Sequence, residues 1–500
     1  MGERRSLQGM NLLFFLTDQQ RAIQHFPPGW AEQNLPNEQR LKRHGLTFPR
    51  AFCAACMCSP SRASLFSGYF PAQHGVKWTL EESMPADQYP QQVLPTDLPN
   101  LGTVMAAAGY STPYKGKFHM TKPANSDGTY VPEDVDRYGF QRWDPQDAGA
   151  NQNSDQYGAG AANNDGRFMQ SDGDVVNGQE GVVAYLQSSD AKSKPFALVV
   201  SLVNPHDVLA YPNGTADYTN GYTAPSWFQG DIGLPATVDE DLSTKPHVQK
   251  EFLALSNQGF GALSTPEMKL KYINFYGNLM KLQDSYLGQV LDTLEQEGLL
   301  ENTLIVRSSD HGEMGLAHGG LRQKNFNFYE ESLRIPLIYS NPKLYPEPAV
   351  STAMVSHVDF LPTMASLFGA PDSATAAWQG VDYSRIVLDP SGPPTQDYVV
   401  FTYDDYQSGQ PSNAYPRPNN HIVSIREERY KLAKYYDVEH PDVPPEWEMY
   451  DLLTDPLETR NLAYKDCSRT LEEEREFQRL QARLALVQQT RLQPLPTTAS

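Results

Sequence analysis

The sequence is poor in cysteine, in basic side chains and in long apolar runs. Four cysteines in 500 residues are too few for a disulfide framework. The longest early apolar run, Leu12 to Leu16, is far too short to cross a bilayer, so we expect no membrane partner. Forty basic residues against 60 acidic ones give a formal net charge of −20. A field of that sign repels nucleic acid, so we expect no nucleic-acid partner either.

The beginning of the chain carries arginines ahead of a short apolar stretch, a pattern that faintly suggests a secretion signal. The stretch is too short for one, and no small-residue cleavage site follows it before Asp18. Three cysteines crowd into six residues, as Cys53, Cys56 and Cys58. A reducing compartment is the simpler setting for them, so we predict a cytoplasmic location.

What the sequence has is material for a large core and an alternation of strands and helices. Hydrophobic residues make up 39% of the chain, and apolar strands alternate with amphipathic helices, which predicts an α/β fold. The predicted buried strands are Leu12–Leu16, Phe196–Val203 and Thr303–Ser308. The predicted helices are Leu101–Ala108, one capped by Thr265 and ended by Gly298, and one capped by Asp359 that runs to Phe368.

A second, smaller unit is predicted after residue 380, which divides the chain into 1–380 and 381–500. It contains short strands rich in β-branched and aromatic residues and a charged terminal helix, at Val399–Thr402, Ile422–Ile425, Tyr430–Tyr435 and Leu471–Gln489. Residues 146–178 are rich in Gly, Asn, Asp and Ala, so we predict a surface insertion there.

Acidic residues follow two of the predicted strands. Asp18 comes after the first strand and Asp310 after the third, each next to a second polar residue, Gln19 and His311. Ligands of open α/β sheets lie at the carboxyl ends of the strands. The two carboxylates, nearly 300 positions apart, are therefore predicted to meet at one site.

The segment that begins at Cys58 has the pattern of a nucleophile at a helix N-terminus. Cys58 is followed by Pro60 and by helix-forming residues, and backbone N–H groups at such a position favour anions. Arg62, one turn further, adds a planar cation that suits a tetrahedral oxyanion. A buried cysteine that opens a core helix is the simpler alternative, since free cysteine behaves as a small hydrophobe.

The letters C-S-P-S-R-A-S-L-F-S-G from Cys58 to Gly68 match the C-x-P-S-R signature of type I sulfatases, which belong to the alkaline phosphatase superfamily. The resemblance implies a large mixed sheet sandwiched by helices, with a smaller C-terminal α+β subdomain. It also implies that Cys58 is converted to Cα-formylglycine by a formylglycine-generating enzyme, which becomes a maturation partner. Pro60 and Arg62 form part of the modification signal.

A second family motif, G-Y-x-T-x-x-x-G-K-x-H, appears from Gly109 to His119. On an extended segment, the spacing of Lys117 and His119 would place both side chains on one face, within reach of one anion. The resemblance implies that Lys117 binds the formylglycine oxygens and the sulfate, and that His119 deprotonates the formylglycine hydrate. At the end of the second strand, His206 is our choice for a sulfate-contacting histidine, with His247 a distant second.

The segment S-D-H-G-E-M, from Ser309 to Met314, resembles the metal segment of the family. The resemblance implies that Asp18, Gln19, Asp310 and His311, with the formylglycine from Cys58, hold one divalent cation. Many arylsulfatases carry Asp-Asp and Asp-Asn at these positions. The Asp-Gln and Asp-His variant found here resembles choline-sulfatase-like and phosphonate monoester hydrolase-like members. Imidazole favours Mn²⁺, whereas family usage keeps Ca²⁺ open.

The segment from Lys324 to Ile338 resembles the family block K-x-x-x-Y-E-E-S-x-R-x-P-L-I, with four residues in place of three between the lysine and the tyrosine. The resemblance makes Lys324 the implied second sulfate lysine. We interpret four nearby residues, His318, Glu330, Glu331 and Arg334, as structural. The resemblance extends from about residue 10 to 465 and leaves the insertion and the tail unsupported.

The implied activity is hydrolysis of aryl, alkyl or carbohydrate sulfate monoesters by a formylglycine hydrate activated by the metal. Lys117, Lys324, His206 and Arg62 neutralise charge on the sulfate, and either His206 or Lys324 protonates the leaving oxygen. A phosphonate monoester or phosphodiester hydrolase is the alternative, but that subgroup lacks the Lys-x-His pair. A non-catalytic anion-binding protein is a more distant alternative.

The small sulfate ester is the expected partner, and a homo-oligomer stays open. Residues 77–95 and 146–250 are expected to form the pocket rim. Their candidate aromatic contacts, each also consistent with a core role, are Trp78, Tyr157, Tyr211 and Trp227.

Overall fold

The structure is a computed structural model that describes residues 6–22, 24–81, 91–125, 128–150, 153–169, 180–213, 221–371, 377–407 and 415–495. None of the helices in these ranges combines the length and the hydrophobicity that a bilayer crossing requires.

The strands, in chain order, are β1 Asn11–Asp18, β2 Gly45–Thr47, β3 Ala51–Phe52, β4 Ala55–Cys56, β5 Tyr114–Gly116, β6 Ala197–Pro205, β7 Thr303–Ser309, β8 Arg334–Ile335, β9 Leu337–Ser340, β10 Ala349–Val350, β11 Val355–Ser356, β12 Tyr398–Tyr403, β13 His421–Glu427, β14 Tyr430–Tyr436 and β15 Glu446–Asp451.

The α-helices, in chain order, are α1 Trp30–Asn34, α2 Pro36–Arg43, α3 Cys58–Ser67, α4 Pro71–His74, α5 Leu101–Ala107, α6 Glu133–Asp136, α7 Asn164–Met169, α8 Val182–Gln187, α9 Asp190–Ser193, α10 His247–Gly259, α11 Pro266–Gln296, α12 Ala317–Gly320, α13 Glu330–Leu333, α14 Phe360–Phe368, α15 Ser384–Leu388 and α16 Leu471–Thr490.

A seven-stranded mixed sheet forms the body of the molecule. Its order is β10-β2-β9-β7-β1-β6-β5, in which β9 runs antiparallel to β7 and β2 while β1 is parallel to both of its neighbours. Every residue of β1, β6 and β7 is buried, as expected for central parallel strands covered on both faces. The fold class predicted from the sequence, a large mixed α/β sheet with helices, is confirmed.

The carboxyl ends of β1, β6 and β7 lie together at one edge of this sheet. The parallel register pairs Thr17 with Ser309 and Asp18 with Pro205. The residues that follow these strands therefore emerge side by side, although they are far apart in sequence. Asp18, His206 and Asp310 are all brought to this edge.

A five-stranded sheet, in the order β15-β14-β13-β12-β4, forms the core of the C-terminal unit. Its edge strand β4 comes from the segment just before Cys58 and pairs in parallel with β12, Thr402 with Ala55. Helix α16 covers the sheet through Leu480, Leu484 and Val487, which are buried. The sheet that supports this unit therefore also supports the start of α3.

Most of the secondary structure predicted from the sequence is present, with boundaries shifted by at most two residues. Thr265 caps α11 as predicted, since its side chain accepts the N–H of Met268. The prediction for Asp359 is wrong: its carboxylate accepts the N–H groups of Ser356 and Val381 and does not cap α14. The Asp359 carboxylate therefore connects the start of its own helix with Ser356 before it and Val381 after it.

The surface position predicted for 146–178 holds only for part of its described residues: Asn153, Ser154 and Asp155 are exposed, but much of the segment is buried. Ala148, Asp165 and Phe168 are at most 1% exposed, and α7 packs beneath β6. The small residues of this segment allow close packing against the large sheet and its helices. A composition that is typical of exposed loops therefore occurs here in a largely buried segment. The rest of the predicted insertion, 151–152 and 170–178, lies outside the described residues.

Candidate active site

Cys58 is the first residue of α3 and is buried at the edge of the large sheet. Its Sγ lies 3.2 Å from Nε2 of His311 and 3.6 Å from Oδ1 of Asp18. Burial, aided by the charge of Asp18, raises the pKa of the Cys58 thiol to about 11. An unmodified Cys58 is therefore protonated near neutral pH and is a weak nucleophile.

The two strand-end carboxylates meet around one guanidinium group, as the sequence predicted. Arg62 donates from Nε to Oδ2 of Asp310 at 2.9 Å and from Nη2 to Oδ2 of Asp18 at 3.3 Å. Burial by itself would raise the pKa of Asp18, but the charges of Lys117 and Arg62 hold it well below its ordinary value. Asp18 is therefore ionised, with one oxygen shared by cations and the other directed toward Cys58.

His311 presents one ring nitrogen to these carboxylates. Its Nδ1 lies 3.1 Å from the carbonyl oxygen of Gly312, which can only accept a hydrogen bond, so Nδ1 carries the proton. Nε2, the other ring nitrogen, lies 3.7 Å from Asp18 Oδ1 and 3.6 Å from Asp310 Oδ1. A backbone carbonyl that fixes the tautomer in this way is typical of a metal-binding histidine.

The donor atoms of Asp18, Cys58, Asp310 and His311 all lie within 4.8 Å of one another, and all four residues are buried. Two carboxylates, an imidazole lone pair and a residue at position 58 suit a divalent cation. The residues present therefore fit the metal ion that the sequence analysis expects.

Gln19 lies beside this group with both of its side-chain polar atoms engaged. Its Oε1 accepts Nζ of Lys324 at 2.7 Å, and its Nε2 donates to Oε2 of Glu313 at 2.5 Å. Its backbone N–H donates to Asp310 at 3.0 Å. The metal-ligand role predicted for Gln19 stays a prediction, because the observed contacts place it as a link between Lys324 and Asp310.

Lys117 is fully buried and reaches Asp18 at 2.5 Å and the carbonyl oxygen of Gly149 at 2.5 Å. Strand β5 ends at Gly116, and His119 has a φ of 52°, which bends the backbone. The prediction that an extended segment carries Lys117 and His119 on one face is therefore wrong. The ring of His119 turns instead to the carbonyl oxygen of Leu80, 2.7 Å from Nε2.

His206 follows β6 and is 4% exposed, and within the described part of the chain no group forms a hydrogen bond with its buried Nδ1. Burial and the nearby Lys117 hold the pKa of His206 well below its ordinary value, so its imidazole is neutral. His247, the second choice from the sequence, is half-exposed and pairs with Glu446 at 2.5 Å. His206 thus lies at the sheet edge, directly after β6, whereas His247 lies against Glu446, so His206 stays the predicted sulfate contact.

Three residues that organise the site were not predicted. Asp147 accepts the N–H groups of Phe118 and His119, at 2.8 and 2.7 Å. Asp165 accepts the N–H groups of Val203 and Asn204 at the end of β6, at 2.6 and 3.0 Å. Ser201 accepts from Arg62 at 2.8 Å. Asp147 and Asp165 lie in the segment interpreted as an insertion, where no apolar pattern indicates burial.

A second group of buried ionisable residues lies away from Cys58, around His318. His318 pairs with Glu240 at 2.7 Å, and Lys431 pairs with Glu458 at 2.7 Å and with Glu330 at 3.2 Å. Glu330 also pairs with Arg426 and Arg334. These carboxylates are matched by cations, in agreement with the structural role predicted for this block.

The aromatic residues considered as pocket contacts mostly pack against other rings. Tyr157 and Tyr211 are buried, and Trp227 packs edge-on against Tyr222 with ring centroids 5.2 Å apart. Trp78 contacts Tyr406 in the same way, at 6.4 Å. The core alternative is therefore favoured for Tyr157 and Tyr211.

Comparison with known proteins gives two family matches. The family described as Sulfatase matches residues 10–370, and the family described as N-sulphoglucosamine sulphohydrolase, C-terminal, matches residues 318–488. Together they cover both the large sheet and the C-terminal unit.

The choline-sulfatase of Rhizobium meliloti is 26% identical over 466 residues, which cover 91% of this chain and 82% of that protein. Among solved structures, a 2-O GAG sulfatase aligns with a TM-score of 0.70 and 22% identity, covering 96% of this chain and 92% of that one. A phosphonate monoester hydrolase from Silicibacter pomeroyi aligns with a TM-score of 0.68 and 19% identity, covering 96% of both chains. The fold is thus shared by both kinds of enzyme and does not separate them.

Proposed function

The chain belongs to the sulfatase family and is a sulfuric ester hydrolase, and from that premise we propose that it cleaves sulfate monoesters at the sheet edge where Asp18, Cys58 and Asp310 meet. The observation that carries the proposal is the buried convergence of Arg62 and Lys117 on carboxylates that flank position 58. Aryl, alkyl and carbohydrate sulfates are the proposed substrate class.

Position 58 is the proposed nucleophile, after conversion of Cys58 to formylglycine by a maturation enzyme. Support comes from the C-x-P-S-R letters and from the raised pKa of the buried thiol, which makes cysteine itself unsuited to the task. The hydrated aldehyde would supply an oxygen nucleophile with a second hydroxyl group.

Asp18, Asp310, His311 and residue 58 would hold one divalent cation, Ca²⁺ or Mn²⁺, which would supply Lewis-acid activation. The charges support this assignment. The two carboxylates Asp18 and Asp310 are balanced by the two cations Arg62 and Lys117, so these four side chains together are close to neutral, and Lys324 adds one positive charge beside them. An added charge of +2 would match a sulfate monoester anion together with an ionised nucleophile, and would remove the cost of burying those two negative charges.

The protein's own side chains divide the remaining tasks. Arg62 holds Asp18 and Asp310 in place, while Lys117 and Lys324 stabilise negative charge on the sulfate oxygens. His206, which is neutral, donates a hydrogen bond to the sulfate. Lys324 is the proposed acid for the leaving oxygen, because a neutral histidine carries no additional proton to give. His119 is the proposed acceptor of the proton released afterwards.

A phosphonate monoester hydrolase is the second candidate. The Asp-Gln and Asp-His residues at the metal site and the shared fold of the Silicibacter enzyme favour it. Lys117 and His119 argue against it, because the resemblance associates that pair with sulfate monoesters. Both side chains are buried at the site, so neither is a surface residue retained by chance.

Turnover of p-nitrophenyl sulfate and of a phenylphosphonate monoester by one preparation separates the two candidates. We expect kcat/KM to be higher for the sulfate, and Lys117→Met to lower it for that ester. A much higher kcat/KM for the phosphonate ester would favour the second candidate.

The unit boundary near residue 380, a cytoplasmic location and a homo-oligomer remain predictions.

A further inference from the structure

The backbone of Leu80 lies between the residue after Cys58 and His119. Ser59, the second residue of α3, is fully buried, and its Oγ accepts the N–H of Leu80 at 3.0 Å. The carbonyl oxygen of the same residue lies 2.7 Å from Nε2 of His119. Two successive hydrogen bonds therefore connect the helix that carries the nucleophile position with the imidazole proposed as a base.

The contact with Leu80 determines which nitrogen of His119 carries a proton. A carbonyl oxygen only accepts hydrogen bonds, so Nε2 must be the protonated atom. Burial, followed by the charge of Lys117, holds the pKa of His119 well below its ordinary value, so the ring has a single proton. Nδ1 is buried, has no hydrogen-bond partner among the residues that the structure describes, and keeps its lone pair. Nδ1 is the atom available to accept a proton.

The backbone of His119 and the segment before Leu80 are held by other groups. Asp147 accepts the N–H of His119 at 2.7 Å, which fixes the backbone but not the ring. Asp405 accepts both the N–H and the hydroxyl of Thr79, at 2.9 and 2.8 Å. On the other side of Leu80, Nζ of Lys122 donates to the carbonyl oxygen of Glu81 at 2.6 Å. Among the described contacts, the Ser59 hydroxyl is the group that holds the N–H of Leu80 itself.

We propose that Ser59 is a positioning residue: by holding Leu80, it keeps His119 in the tautomer whose Nδ1 accepts a proton. The proton-accepting task of Nδ1 rests on the proposed function, whereas the tautomer and its dependence on Ser59 do not. The Ser59 hydroxyl acts only through Leu80 and His119, so it is expected to affect steps that need His119 and to leave ester binding intact.

Histidine-selective ¹⁵N NMR of the chain with an unmodified Cys58 tests the tautomer directly. The signal of His119 is assigned as the one missing from a His119→Gln variant. In the wild-type chain and in Ser59→Thr, we expect Nε2 to be protonated and Nδ1 to be bare. Ser59→Ala is expected to give a mixture of tautomers or an exchange-broadened signal.

Ser67→Ala is the matched control, because Ser67 is a buried serine of the same helix whose hydroxyl bonds to Ala63 at 2.5 Å. It is expected to leave the His119 signal unchanged. A wild-type His119 protonated at Nδ1, or a Ser59→Ala spectrum identical to the wild type, overturns the proposal. The wild-type spectrum decides this even if Ser59→Ala does not fold.

Kinetics of the modified enzyme supply a second readout, with conversion of Cys58 equalised by peptide mass. Proton transfer to His119 is proposed to follow cleavage of the ester bond. Ser59→Ala should therefore lower kcat about tenfold and lower KM in proportion, with kcat/KM within about twofold of wild type. Ser59→Thr should restore kcat. If Ser59→Ala lowered kcat/KM and left kcat unchanged, the result would indicate general damage to the site and would overturn the proposal.

The two proposals fail in different ways. If no variant hydrolyses a sulfate ester while the NMR result holds, the proposed function is wrong and the positioning role of Ser59 stands. If sulfate esters are hydrolysed but Ser59→Ala has the wild-type tautomer and kcat, the proposed function stands and the positioning role is wrong.

Discussion

At the scale of single residues, the site separates the two oxygens of each carboxylate. Oδ2 of Asp18 is shared by Arg62 and Lys117, while Oδ1 is directed toward Cys58 and His311. A carboxylate bound on one side by cations stays ionised and presents the other oxygen in a fixed direction. This arrangement explains how two buried carboxylates can stay ionised before a metal ion binds.

The choice of Lys324 as acid leads to a leaving-group prediction. A poor leaving group needs a proton more than p-nitrophenolate does, so Lys324→Met should slow an alkyl sulfate about 100-fold more than p-nitrophenyl sulfate. His206→Gln, the comparison variant, should slow both esters to a similar extent. Initial rates with the two esters measure the effect. The opposite pattern in the two variants would assign the proton to His206.

The residues carried by motifs could be predicted from the sequence, whereas those that hold them could not. Asp18, Cys58, Arg62, Lys117 and Asp310 meet at one sheet edge as predicted, because the family letters identify them. Asp147 acts through hydrogen bonds to backbone N–H groups, and Ser201 through a hydrogen bond to a guanidinium group. Contacts of this kind leave no periodic pattern in the sequence. The bend at His119 could not be predicted, because the spacing of Lys117 and His119 in the sequence does not determine the backbone angle at His119.

At the scale of elements, helix α7 holds the end of strand β6. The Asp165 carboxylate accepts two strand N–H groups and the side-chain amide of Gln283, at 2.8 Å. These bonds hold the backbone of Val203 and Asn204, from which His206 follows. Burial raises the pKa of Asp165 to about 6, so the cost of burying the charge is only partly offset by the three donors.

Asp165→Ala should therefore destabilise the protein. Three buried donors would lose their acceptor, which is expected to cost about 2–3 kcal/mol in the free energy of unfolding measured with urea. Asp155→Ala, which removes an exposed carboxylate nearby, is the control and should change it by less than about 0.5 kcal/mol. Equal stability of the two variants would contradict this account of α7.

The contact of α10 with β15 predicts a dependence on pH. The hydrogen bond with Glu446 raises the pKa of His247 from 6.5 to about 9, and burial opposes it. A raised pKa stabilises the fold fully below pH 6.5, and this contribution is lost as pH rises through about 9. Because the pair is half-exposed, we expect at most about 1 kcal/mol.

Urea denaturation of wild type and of His247→Gln at several pH values measures this contribution. The difference between the two proteins should be largest at about pH 6 and should disappear above about pH 9. Glu446→Gln should give the same profile, because it removes the other partner. A difference that grows as the pH rises would show that the imidazole is not the charged partner.

At the scale of the whole molecule, the two predicted units are joined through the nucleophile segment. Strand β4, two residues before Cys58, pairs with β12, and Lys431 of β14 pairs with Glu330 of α13. The main strands and helices of both units, such as β1, β6, β7, β13 and α16, could be predicted from their hydrophobic pattern. Their joining could not, because β4 is only two residues long and leaves no pattern that assigns it to a sheet.

Replacement of Lys431 should destabilise both units. Its charge, with that of Arg426, overcomes the effect of burial and holds the pKa of Glu330 at about 2. Lys431→Met would remove the cation paired with buried Glu458 and one of the three cations paired with Glu330, at a cost of about 3–5 kcal/mol, and both units should unfold in one transition. Arg429→Met removes a partly exposed cation that pairs with Asp451 and should cost at most about 1 kcal/mol. Similar losses in the two variants, or two separate unfolding transitions, would contradict the joined arrangement.

The net charge of −20 belongs to the same scale. An anionic substrate must be attracted locally, because the overall field repels it. Arg62, Lys117 and Lys324 are all buried at the sheet edge, whereas many of the acidic residues are exposed. The sign of the site is therefore set by these few side chains and by any bound cation.

The mass of the tryptic peptide Ala51–Arg62, taken from enzyme that hydrolyses a sulfate ester, tests the central claim most directly. The peptide contains Cys53, Cys56 and Cys58, so fragmentation must locate any change. We predict that residue 58 is an aldehyde while the other two keep their thiols, and that activity rises in proportion to the converted fraction. An intact thiol at Cys58 in fully active enzyme would contradict the account.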